Sequence, residues 1–314
     1  MTGHIAVVGA GLVGSGWIIV FARAGLSVRV FDESQAIRAR LVQELRENLE
    51  DLASHGLIDD VQGILDRIDI CQSLESAVRG ASYVQESVLE RVDVKQAVCA
   101  ALDRLLDERA IVGSSTSGIP ASAFTEALTN RERFVVSHPV NPPYLVPVVE
   151  VVPAPWTAPE TVEATCALMS EVGQVPVRVS REVEGFILNR LQGALLREAW
   201  ALYEEGYASA EDIDKTVSEG LGLRWSFIGP FETIDLNAPG GVRDYAQRLG
   251  PLYLSIARSR EDPRAWSDDL IGRVEDERRR AVALSDLPKR RTWRDRRLMA
   301  LAAHKAAQRK QSST

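Results

Sequence analysis

Ile5-Ala6-Val7-Val8-Gly9-Ala10-Gly11-Leu12-Val13-Gly14-Ser15-Gly16-Trp17 places an apolar run, three spaced glycines and a second apolar run in direct succession. The first run is short and β-branched, as a buried strand requires, and the second continues to Phe21 as the body of a helix from about Gly14 to Ala24. The glycine spacing, GxGxxG, is weak alone. Between a strand and a helix it has the context of a dinucleotide fingerprint. Gly9 permits the tight turn, Gly11 lets backbone approach a pyrophosphate, and Gly14 lets helix and strand pack closely. The amides of Gly11, Leu12, Val13 and Gly14 then lie where the helix N-terminus receives phosphate. Leu26–Phe31 reads as the next strand, and Asp32 ends it, at the position from which a carboxylate accepts bonds from the adenosine ribose. Glu33 adds a second negative charge unfavourable to a 2′-phosphate, so NAD rather than NADP is the expected cofactor. The plainer reading, a glycine turn capped by Asp32, explains each part separately but not their order.

Outward from this unit, strand and helix alternate. Residues 34–55 form an amphipathic helix rich in Arg and Glu, and Tyr83-Val84, Ala110–Gly113, Phe134–Ser137 and Val175–Val179 read as further strands. The order predicts an α/β fold: a Rossmann-like, doubly wound parallel sheet, followed by an all-α C-terminal domain. The expected domains are 1–183, binding NAD, and 184–314, for substrate and dimerisation. Seven prolines between 139 and 159 mark extended or looping chain. Phe186 to Tyr203 is apolar around most of a helical circumference, so that helix needs burial in a domain core or against a second subunit, and a homodimer is expected. The tail from about 273 to 310 is Arg-rich, with Trp293, Leu298, Met299 and Leu301 supplying an apolar face, which reads as an amphipathic helix.

The 314 residues suffice for two domains, and 45% apolar with 26% charged residues is the composition of a globular chain. A net charge of −7 disfavours nucleic acid as a partner. Cys71, Cys99 and Cys166 form no disulfide framework and no metal-ligand spacing, so no metal is expected and a reducing cytoplasm is the natural setting. Trp17–Phe21 is too short for a membrane span, and no signal-peptide layout precedes Ile5.

His138 follows the strand Phe134–Ser137, at the carboxyl edge that faces the ligand crevice of such sheets. A lone histidine is more often structural. Its place at a strand end beside Pro139, Pro142 and Pro143 argues for more. Alcohol oxidation needs a group to take the hydroxyl proton, and imidazole does so near neutral pH, better with a carboxylate orienting it. Glu150, inside the apolar run 147–152, needs a partner if buried, and His138 is a reasonable one.

These residues carry a resemblance. GAGLVGSGW (9–17), QESVLERVDVK (85–95), SSTSG (114–118), SHPVNPPYLVPVVEVVP (137–153), GFILNRLQ (185–192) and GLGLRWSFIGPFETIDLNAPGG (220–241) resemble the 3-hydroxyacyl-CoA dehydrogenase superfamily, most of all its lambda-crystallin and L-gulonate 3-dehydrogenase branch. The match runs to about residue 250. It implies His138 as general base, Glu150 as its orienting partner, Ser117 and Asn189 as donors to the reacting oxygen, and Glu90 and Lys95 along the nicotinamide end of NAD. Arg224 stands where the acyl-CoA members carry a small or apolar residue and the sugar-acid branch an arginine. A guanidinium holds a carboxylate through two parallel bonds, so a small-molecule L-3-hydroxy acid is the expected substrate. Trp225 departs from the tyrosine of the sugar-acid members and is similar to the carnitine dehydrogenase branch, where an aromatic face suits a quaternary ammonium. An acyl-CoA thioester and a non-catalytic, crystallin-like role are the rival readings.

Overall fold

The computed structural model describes residues 3–260 and 265–312, which leaves the polar end of the chain at 313–314 outside the described residues. His4–Val8 (β1), Leu12–Arg23 (α1), Val28–Phe31 (β2) and Gln35–Ser54 (α2) form the first βαβα unit. The strands that follow are Ile68–Ile70 (β3), Ala81–Glu86 (β4), Ile111–Ser114 (β5), Phe134–Pro139 (β6), Val148–Pro153 (β7) and Val175–Arg178 (β8), with helices Val92–Leu105 (α3) and Pro159–Glu171 (α4) among them. One eight-stranded sheet results, in the order β3-β2-β1-β4-β5-β6-β7-β8. Its first six strands are parallel, in the doubly wound order expected.

Strand alternation produces the two layers. Ile5, Val7, Val28 and Val30 face α1 and α2, where Trp17, Phe21 and the stripe Leu41, Leu45, Leu49 and Leu52 meet them. Ala6, Val8, Val84 and Val112 face the other way, onto Cys99 and Leu102 of α3. The helix α1 begins at Leu12, inside the glycine loop, two residues before the sequence boundary. Ser34 caps α2 by accepting from the Ile37 amide.

Two elements depart from the sequence reading. The short β3 was not anticipated, and the proline window contains β7, which pairs antiparallel with β6. Residues 140–147 are too few for a crossover, which takes roughly a dozen residues, so the chain must turn straight back. That return sets Glu150 directly opposite His138 in the ladder.

The chain divides into two compact units: the described residues of 1–191 with 291–314, and 192–290. Leu287–Ser312 is one helix. Its Met299 is 1% exposed within the same core as α1 and α2, and Arg296 pairs with Asp51 at 3.0 Å. Removing this side chain leaves a cavity in a closed core. Met299→Ala is expected to cost about 2–5 kcal/mol, read as a lower urea midpoint; a loss below about 0.5 kcal/mol would mean that the helix is not fixed there.

Leu188–Glu204 (α5) leads into the second unit, which is helical throughout: short segments at 210–225, then Pro230–Leu236 (α6), Gly241–Arg258 (α7) and Asp268–Ala281 (α8). Arg260 bridges Glu198 and Glu205, and Trp200 stacks on Trp266 at 4.6 Å. The helix expected to need burial in a domain core or against a second subunit is amphipathic and, among the described residues, has no buried residue; Leu191 is 61% exposed. Phe227, Phe231, Leu252 and Leu254 are exposed as well. Among the described residues no helix is long and apolar enough to cross a membrane.

Candidate active site

The sheet order reverses between β1 and β4, and the crevice at such a switch point receives the ligand. The glycine loop lies there. A Cβ on Gly9 would meet the Ser87 carbonyl at 2.6 Å, and one on Gly14 would collide with the Gly9 carbonyl, so both glycines are demanded by backbone packing. Gly9 also has φ 92°, open to glycine at little cost. Gly11 is different: a Cβ there meets nothing within 4 Å, at φ −68°, which any residue adopts. Its lack of a side chain serves no contact within the protein, and space beside a helix N-terminus suits a pyrophosphate. Gly11 caps α1 without a side-chain bond and no acid lies in the first turn, so the first N–H groups have no intrahelical partners. Asp32 accepts from the Ala10 amide at 2.8 Å and the Ser34 amide at 2.8 Å, fixing the loop while lone pairs remain for ribose hydroxyls. These residues fit a dinucleotide. Gly11→Ala is expected to leave the melting temperature of the cofactor-free protein unchanged and weaken NAD binding at least roughly tenfold. Unaltered affinity in calorimetry would contradict this placement.

Beyond β4, one buried carboxylate organises the next part. Glu86 accepts from Lys95 Nζ at 3.0 and 3.1 Å, from Ser114 Oγ at 2.5 Å and from the Val88 amide at 2.8 Å. Lys95 is only 1% exposed, so its amine serves this ion pair, with Glu90 3.8 Å away. Glu90 binds the loop 116–118: its Oε1 accepts from Thr116 Oγ1, Ser117 Oγ and the amides of Ser117 and Gly118. Burial raises the Glu90 carboxyl, but the Thr116 hydroxyl, the Ser117 amide and the Lys95 charge outweigh it and hold it below its ordinary value. Glu86 was not singled out from the sequence; the available signal was Gln85-Glu86, two polar residues ending an otherwise buried strand.

The third part is His138. As direct partners across β6 and β7, His138 and Glu150 project to one face, and His138 Nδ1 lies 2.8 Å from Glu150 Oε2. The other oxygen, Oε1, accepts from the amides of Ile187 at 2.7 Å and Leu188 at 3.0 Å, where α5 starts. Both residues of the pair are buried. Burial pushes the Glu150 carboxyl up, while His138 and these two amides draw it down further, leaving it below the ordinary carboxylate value. An ionised carboxylate only accepts, so Nδ1 carries a proton, and in the neutral imidazole Nε2 is then the nitrogen with the lone pair. Nε2 has no hydrogen-bond partner among the described residues, which leaves it available as a base. Gly185 and Phe186 bring the chain here through left-handed backbone, φ 73° and 49°, and the buried Phe186 ring lies 5.7 Å from the imidazole. Next along, Asn189 Nδ2 donates to the Ser117 carbonyl at 2.5 Å. Residues 187–189 therefore join the His138–Glu150 pair to the Ser117–Glu90 loop. Among the described residues there is no cluster of metal ligands.

Arg224 and Trp225 end the short helix Gly222–Trp225 in the second unit. Both are exposed, and the Arg224 guanidinium has no ion pair among the described residues.

The family model for the 3-hydroxyacyl-CoA dehydrogenase NAD-binding domain matches residues 4–183, and that for the C-terminal domain of the same family matches 185–264. The human lambda-crystallin homolog is 40% identical, over 97% of this chain and 97% of its own. An L-carnitine dehydrogenase of Oceanobacillus iheyensis is 35% identical, over 86% of this chain and 87% of its own. The crystal structure of a 5-formyl-3-hydroxy-2-methylpyridine 4-carboxylic acid 5-dehydrogenase, an NAD+-dependent dismutase, superposes with a TM-score of 0.74 at 30% identity, covering 90% of this chain and 97% of that one. The chain belongs to the 3-hydroxyacyl-CoA dehydrogenase family; it is an oxidoreductase of that family, and its cofactor is NAD.

Proposed function

We propose that this member of the 3-hydroxyacyl-CoA dehydrogenase family oxidises a free L-3-hydroxy acid, a sugar acid such as L-gulonate or a similar short hydroxy carboxylate, to the 3-oxo acid. The His138–Glu150 pair is the observation that carries the reading: a buried imidazole polarised through Nδ1, with Nε2 unengaged. Bound NAD would supply the hydride acceptor for the hydroxyl-bearing carbon. His138 Nε2 takes the hydroxyl proton in the same event. Glu150, already ionised, stabilises the imidazolium that forms, so no charge is left unpaired. Ser117, tied to Glu90, and Asn189, tied to the Ser117 carbonyl, position the reacting oxygen. Glu90 and Lys95 support that loop beside the cofactor.

Arg224 grips the carboxylate. Sequence supports this through the arginine shared with the sugar-acid branch, and the exposed guanidinium, with no ion pair among the described residues, supports it too. Trp225, 41% exposed beside Arg224, favours L-carnitine as a second reading, because an aromatic face attracts a quaternary ammonium. A homodimer accounts for α5, which has no buried residue, and for the exposed apolar side chains of the second unit. Three free, buried cysteines accord with the cytoplasm.

Arg224→Met tests the substrate assignment. The clamp predicts a loss of kcat/KM of about 100-fold or more on the free acid, with activity on L-3-hydroxybutyryl-CoA spared, since a charge-assisted bidentate pair is lost. Equal losses on both, or a wild-type enzyme active only on the thioester, would contradict it. NADH is the signal to follow, because a 3-oxo acid readily loses CO2.

A further inference from the structure

Ser115, the residue after β5, lies at the centre of a polar chain that the catalytic reading does not use. Its Oγ is 3.1 Å from Trp17 Nε1, 2.7 Å from Gln85 Nε2 and 2.8 Å from Ser87 Oγ. The indole N–H can only donate. Gln85 is oriented by its neighbours: Tyr83 OH donates to its Oε1 at 3.1 Å, and its Nε2 faces the Ser137 carbonyl at 3.4 Å, which can only accept. The amide nitrogen is therefore the group turned to Ser115. Two donors fill both lone pairs of Ser115 Oγ, and its one proton has a single acceptor left, Ser87 Oγ. Ser87 in turn receives a bond, and its own proton has no acceptor among the described residues.

Ser87 stands at the ligand crevice. It follows β4, its amide is tied to the Val8 carbonyl at 2.7 Å, and its own carbonyl and Cβ crowd Gly9 and Gly14. Asp32 lies on the adenosine side of that crevice and the start of α1 serves the pyrophosphate, which leaves the β4 side for the nicotinamide riboside. We propose that Ser87 is a cofactor-binding donor, giving its hydroxyl proton to an acceptor oxygen on the nicotinamide-riboside half of NAD, and that Trp17 and Gln85, acting through Ser115, fix the direction of that bond. Trp17, Gln85 and Ser115 are positioning residues, and Ser87 alone touches the ligand. The proposal rests on the NAD assignment.

Calorimetric titration with NAD and, separately, with AMP, together with melting of the cofactor-free protein, tests this. Ser87→Ala is expected to weaken NAD about three- to tenfold, the worth of one hydrogen bond, and to leave AMP within roughly twofold. Ser115→Ala should weaken NAD by a similar factor, and the double variant no more than either alone, because both remove the same bond. A merely structural serine would lower the melting temperature and shift AMP and NAD together. Unchanged NAD affinity in Ser87→Ala, equal loss of AMP, or additive losses in the double variant would overturn the proposal. Ser87 is half-buried and its alanine variant needs no repacking, so that arm stands even if Ser115→Ala fails to fold. A wild-type chain that binds AMP and not NAD would overturn the cofactor assignment and this role with it.

Discussion

Glu150→Gln is expected to lower kcat/KM by about 100- to 10,000-fold, although it changes one oxygen to nitrogen. The reason is donor arithmetic. The carboxylate accepts from His138 on one oxygen and from the Ile187 and Leu188 amides on the other. A carboxamide has one accepting end. Turned with oxygen to the helix start, it presents N–H to Nδ1, forces the proton onto Nε2 and removes the base. Turned with oxygen to the imidazole, it sets N–H against two backbone N–H groups and frees the start of α5, which carries Asn189. Either orientation is damaging, and a variant within about threefold of wild type would show that the pair does not carry the chemistry. The same substitution has a pH signature. Because the folded-state pKa of Glu150 lies below its ordinary value, its stabilisation is complete above the unfolded value of about 4.3 and is lost as pH falls through the lowered folded value. Wild type should therefore lose stability on acidification more steeply than Glu150→Gln over that window.

Lys95→Met should be the most destabilising of these substitutions, by about 3–5 kcal/mol, because it leaves the Glu86 carboxylate buried without its counter-ion. Ser114 and the Val88 amide still donate, but neither is charged. The paired change Glu86→Leu with Lys95→Met should recover most of the loss, since a buried ion pair and a well-packed apolar pair differ little in net free energy. Chemical denaturation of wild type and the two variants measures this. A single-variant cost below about 1 kcal/mol would mean that water reaches the pair.

What the sequence disclosed follows from how local each signal is. The glycine loop, α1, β2 and Asp32 lie within one βαβ unit, and period-2 and helical patterns locate them directly. His138 and Glu150 were legible as candidates because an acid in an apolar run demands a partner; their pairing was not, since it depends on the antiparallel return of β7, which the prolines concealed. Glu86 escaped notice because the partner that makes its burial tolerable, Lys95, lies beyond the intervening loop, in the first turn of α3. The apolar residues of α5 were evident, but with Arg190, Gln192, Arg197 and Glu198 among them the helix is amphipathic rather than apolar all round, and an apolar face does not specify what covers it. Likewise Leu298 and Met299 marked an apolar face on the last helix without naming the α1–α2 side of the sheet as its seat.

The most direct test of the central claim is NADH formation by wild type and His138→Gln, with L-gulonate, L-carnitine, L-3-hydroxybutyrate and L-3-hydroxybutyryl-CoA offered separately and NAD affinity measured in parallel. The account predicts turnover of a free acid that falls about 100- to 10,000-fold in the variant while NAD binding is retained. Turnover that survives the substitution would contradict the assignment of His138 as the base.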